Sequence, residues 1–121
     1  MESKELRVGN KVGIYKNQHD TDVINILPNE ILAIYQCEIV EKQSPYFALN
    51  ITEEWLFKFG FEKITDINPK FRNYEYMYRK GGFHLGSDFL FHFMAGNVKI
   101  QYVHQLQNLF SDVIEEELSF H

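Results

Sequence analysis

Val103, Leu106 and Phe110 stand at i, i+3 and i+7, with Leu109 beside them, and this stretch follows without a linker on two apolar runs, Phe89–Met94 and Val98–Tyr102. The first spacing draws one apolar stripe along a helix. The two runs are joined by Ala95-Gly96-Asn97, and a short Gly-containing connection between apolar runs predicts a hairpin. Phe89, Phe91 and Phe93 alternate with Leu90 and His92, so one face of that hairpin is strongly aromatic. A striped helix must be covered and an aromatic ribbon must be covered. Their adjacency points to a helix laid on an antiparallel sheet.

The rest of the chain can supply such a core. It has 121 residues, one domain's worth, with 45% hydrophobic and 16% aromatic content, which argues against disorder. The net charge of −5 argues against direct nucleic-acid binding, since a phosphate-tracking surface needs a Lys/Arg cluster, and it permits a basic protein partner. One cysteine, Cys37, excludes an internal disulfide and a cysteine-based zinc site and suits a reducing compartment. The charged start, Met-Glu-Ser-Lys-Glu, does not read as a signal peptide, and no apolar run approaches spanning length. A cytoplasmic protein without membrane association is expected.

Gly9-Asn10 predicts a turn into a strand ending near Tyr15, and Val23–Leu27 a second strand closed by Pro28. Glu30–Glu41 is apolar for most of its length and rich in β-branched residues, which favours a strand, bulged or bent. Thr52 is placed to cap a helix, Glu53 and Glu54 sit where the dipole favours anions, and Gly60 is placed as the left-handed cap residue, with Phe61 to follow it. Trp55 is expected as a core anchor of this two-turn helix. From Tyr74, Tyr76 and Tyr78 alternate with Glu75 and Met77, and Arg79–Gly82 is a turn. The expected fold is therefore α+β, a single domain over residues 1–121. A bent antiparallel sheet is covered by helices over 52–60 and 103–113, with room for a small barrel-like unit in the N-terminal part.

No phosphate-cradling glycine loop and no nucleophile elbow is present. His19, His84, His92, His104 and His121 form no ligand spacing, so no metal site is assigned, although His84 and His92 would approach His104 if hairpin and helix stack. No catalytic residue and no cofactor is assigned either. The segment around the helix start is the unusual one. Tyr102, His104, Gln105, Gln107 and Asn108 place neutral amides and an imidazole where a solvated helix would carry Lys and Glu. Two readings stand: a polar contact surface for a partner or ligand, or side chains that cap neighbouring loops and strand edges inside the fold.

Three segments also carry a resemblance: Leu6–Val12, Leu49–Leu56 followed by Gly60-Phe61, and Tyr102–Leu109. In order and spacing they resemble a family of small proteins from Bacteroides- and Flavobacterium-type bacteria, their phages and prophages, with the pattern LRIGN, then LTEEWL and GF, then YVHQLQNLY and a GEEL-like tail. Asn50 stands where that family tends to have Pro, and Ser111–Ile114 precede the acidic tail. The family carries no settled activity. The resemblance implies a cytoplasmic protein of mobile-element origin. The expected function is a non-enzymatic protein-interaction module, in its most specific form a phage- or prophage-encoded protein that binds and inhibits a host defence protein. The alternative is a binder of a small, nucleotide-like ligand. A protein partner is expected, with room for a homo-oligomer.

Overall fold

The computed structural model describes residues 1–17, 19–65, 74–93, 96–115 and 118. The fold is α+β, as expected, and among the described residues every strand pairing is antiparallel. The strands are distributed over three small open sheets rather than collected in one, and the N-terminal sheet does not close into a barrel. The chain divides into two compact units, Met1–Asn50 with Tyr102–Asn108, and Ile51–Gln101 with Leu109–His121.

In the first unit, β1 (Lys11–Asn17) lies between β2 (Asp20–Asn25) and the two-residue β3 (Tyr46–Phe47). The turn at Gly9, with φ +90°, needs the freedom of glycine. It is closed by Gly9 N–H donating to the Ile26 carbonyl at 2.9 Å and Ile26 N–H to the Asn10 carbonyl at 2.8 Å. Leu6, Val12, Ile26 and Ile34 form the core, with Ile24, Ile31 and Tyr46 packed against it.

The segment expected as a strand over Glu30–Glu41 is a helix, α1 (Pro28–Ile39). Local signals set it. Pro28 occupies the first helical position, where its missing N–H costs nothing, and the Glu30 carboxylate accepts from the Leu27 N–H at 3.0 Å. The helix end is a Schellman motif: Lys42 N–H donates to the Cys37 carbonyl at 2.9 Å and Glu41 N–H to that of Glu38 at 3.2 Å, with Glu41 left-handed at φ +55°. The strand reading failed because α1 is apolar on two sides. Ile31 and Ile34 face the core while Leu32, Tyr35 and Ile39 face water, so no single-stripe pattern is visible.

In the second unit, α2 (Glu53–Lys58) is built as expected. Thr52 Oγ1 accepts from Trp55 N–H at 3.3 Å, Gly60 is left-handed at φ +88°, and Phe61 N–H donates to the Leu56 carbonyl at 3.0 Å. Trp55 is half-buried, 5.8 Å from the Phe59 ring with Lys58 Nζ 5.2 Å above it. Strands β4 (Glu62–Ile64), β5 (Met77–Lys80) and β6 (Phe83–Gly86) form one sheet, β7 (Leu90–Phe93) and β8 (Gly96–Lys99) the aromatic hairpin. The tyrosine alternation is a strand only from Met77 onward. The connection at residues 94 and 95 lies outside the described residues. Phe83 stacks on Phe91 at 4.7 Å, and Phe61, Phe83 and Phe110 meet edge-on or tilted at 5.4 to 6.1 Å. Phe110 belongs to α3 (Val103–Ile114), the striped helix expected over 103–113. Among the described residues no helix is long and apolar enough to cross a membrane.

Candidate functional site

The start of α3 is anchored in the first unit by backbone pairing: Asn50 and Tyr102 form an antiparallel bridge, and Val103 N–H donates to the Leu49 carbonyl at 2.8 Å. Gln105 Oε1 accepts from the Tyr102 N–H at 3.0 Å, satisfying a donor at the helix start. One turn on, the amides reach the N-terminal segment. Gln107 Oε1 accepts from Lys11 N–H at 2.7 Å, and its Nε2 donates to the Gly9 carbonyl at 3.4 Å. Asn108 Oδ1 accepts from Asn10 Nδ2 and its own Nδ2 donates to the Glu5 carbonyl, both at 2.8 Å. Asn10 in turn caps its own turn, with Oδ1 accepting from Arg7 N–H at 2.8 Å. Glu5 and Gly9 precede β1 and Lys11 opens it, and side-chain amides satisfy the Glu5 and Gly9 carbonyls and the Lys11 N–H.

Of the residues expected to form a contact surface, His104 and Gln107 are buried, His104 completely. Tyr102, Gln105 and Asn108 are half-buried. The amides of Gln105, Gln107 and Asn108 make the loop-capping bonds of the second reading.

His104 is the exception in this network. Among the described residues neither ring nitrogen has a hydrogen-bond partner. Glu5 Oε2 lies 3.6 Å from Nε2, too far for a hydrogen bond yet close enough to attract a charge, and the Tyr102 ring lies nearly parallel at 5.7 Å. Burial pushes the imidazole below its ordinary pKa, and Glu5 pulls only partly against it.

The same unit holds a cleft of about 520 Å³ that sequence reasoning missed. It is walled by Tyr15, Phe47 and Tyr102, with Cys37, Glu38 and Lys42 from the end of α1 and the loop after it. Its aromatic wall depends on Gly13. Phe47 pairs with Gly13 across β1 and β3, and a Cβ at Gly13 would fall inside contact distance of the tip of the Phe47 ring. Tyr15 meets Phe47 at 4.6 Å between ring centres. The Glu38 carboxylate is already engaged by the Ser3 N–H at 2.5 Å and hydroxyl at 2.9 Å. The signal available in the sequence was Gly13 two residues before Tyr15, but the partner ring lies 34 positions away and no local pattern links them.

In the second unit a tyrosine, a histidine and an aspartate meet. The Tyr74 hydroxyl lies 2.6 Å from His92 Nε2 and 3.2 Å from Asp88 Oδ2. Burial, then the Asp88 carboxylate, push the phenol up to about 12. That direction locks the proton on oxygen, which suits a structural tie and opposes a base. Gly86 lies beneath: a Cβ there would meet the Tyr74 ring at 2.6 Å. Among the described residues no three His, Cys, Asp or Glu side chains gather as metal ligands.

No family model, curated protein or solved structure matches this chain.

Proposed function

We propose that the chain is a non-enzymatic protein-interaction module whose contact is the outward stripe of α1. The observation that carries this reading is the exposure of Leu32 (53%), Tyr35 (51%) and Ile39 (62%) on a helix whose opposite side already covers a core. They stand at i, i+3 and i+7, so they form one line on one face. A large apolar line left in water on a docked helix is the pattern of a helix that lies in a partner's groove. The chain as a whole is acidic, so the complementary groove has an apolar floor and a basic rim.

The resemblance gives the finer form of the proposal: a phage- or prophage-encoded protein that binds and blocks a host defence protein. Affinity capture from a bacterial host lysate tests it. The whole chain should retain a specific protein, and Leu32→Glu/Ile39→Glu should release it. A lysate that yields no specific partner counts against the proposal.

A further inference from the structure

We propose that the cleft beside Phe47 binds a nucleoside monophosphate, a planar heteroaromatic ring carrying one anionic group. The cleft belongs wholly to the first unit and uses the end of α1 rather than its outward stripe, so this inference is independent of the interaction proposal.

Its volume falls within the roughly 300–1,000 Å³ of small-molecule sites. The walls fit a flat ring. Tyr15 is 52% exposed, although a ring of that size is normally covered, and it stands on Phe47, whose orientation is fixed by the space Gly13 leaves. Tyr102 lines the same space with its ring supported from behind by the buried His104. Rings held in place in this way present pre-set faces for stacking, and stacking accepts any base because every base has a π-face.

The polar groups fit an anion. Lys42 is exposed at the cleft, and among the described residues no carboxylate lies within ion-pair distance of it. Glu38, the acid in the lining, has its two oxygens turned to Ser3. A lysine offers a phosphate a compact charge with three rotatable donors. Gln43 and Asn50 add side-chain amides, which donate and accept along a base edge.

The test is a titration of the ¹⁵N-labelled full chain with AMP, GMP, CMP and UMP, beside adenosine and inorganic phosphate, read from amide shifts. The expected result is saturable movement of the amides of Tyr15, Lys42–Ser44, Phe47 and Tyr102 with at least one monophosphate, and weaker binding of adenosine and of phosphate alone. Lys42→Ala and Tyr15→Ala, both at exposed positions, should each weaken that binding about tenfold while leaving the rest of the spectrum unchanged. The proposal is overturned if no monophosphate moves these amides at millimolar concentration, if phosphate alone binds as well, or if both variants bind as the unaltered chain does. Leu32→Glu/Ile39→Glu should bind the monophosphate normally, which separates this outcome from failure of the interaction reading.

Discussion

Asn108 Oδ1 accepts a hydrogen bond from Asn10 Nδ2 at 2.8 Å, joining residues 98 positions apart through two neutral amides. With Gln107 on Lys11 and Gly9, and Asn108 on Glu5, this fixes the segment before β1 to the start of α3. The amide-rich segment is thus explained by backbone groups that need partners.

Removing one amide takes this bond from the other, leaving Asn10 Nδ2 or Asn108 Oδ1 without it. Asn108→Ala and Asn10→Ala should each destabilise the chain by about 1–3 kcal/mol in urea unfolding. The double variant should cost less than the sum, with a coupling of roughly 0.5–3 kcal/mol. Strict additivity would show that the bond contributes nothing.

Gly13 tests the wall of the cleft. Gly13→Ala places a methyl group against the Phe47 ring and should cost about 1–3 kcal/mol by overpacking. In the Phe47→Ala background the same change should cost much less. Equal cost in both backgrounds, read from thermal or urea unfolding, would mean that another contact is responsible.

The end of α1 carries a removable strain. Glu41 is exposed and left-handed at φ +55°, in a position that Gly occupies in most such motifs. Glu41→Gly should stabilise the chain by about 1 kcal/mol, since the left-handed penalty of roughly 1–2 kcal/mol is partly offset by the extra freedom of unfolded glycine. A loss of stability would show that the Glu41 side chain makes a stabilising contact of its own.

His104 gives the pH dependence. Its folded pKa lies below the ordinary value of 6.5, so the unfolded chain takes up the proton first as pH falls. Stability should therefore decline as pH drops through about 6.5 toward the lower folded value, and this contribution should be absent well above it. His104→Leu, which replaces a buried ring without a hydrogen-bond partner among the described residues by an apolar side chain, should flatten that decline and leave stability at neutral pH equal or higher. Urea unfolding between about pH 7.5 and about pH 5.5 checks both statements.

What could be read from the residues was what short-range chemistry decides. Thr52, Gly60 and Phe61 state the limits of α2 within one segment, and the stripe of α3 is visible because its apolar residues, Val103, Leu106 and Phe110, alternate with amides at helical spacing. The stretch from Pro28 was misread because periodicity reports contrast between faces, and α1 has little, with Ile34 in the core and Ile39 in water. Its true start signals, Pro28 and Glu30, were present but were outweighed by β-branched content. The cleft could not be read at all. Gly13, Lys42, Phe47 and Tyr102 meet only through β-pairing and the bridge at Asn50.

Recognition through the water-facing side of α1 is open to one direct measurement. Hydrogen–deuterium exchange of the chain, alone and with its captured partner, tests it most directly. Binding should add protection over residues 28–41, absent in Leu32→Glu/Ile39→Glu. Unchanged exchange there, with protection appearing elsewhere on the chain, would contradict it.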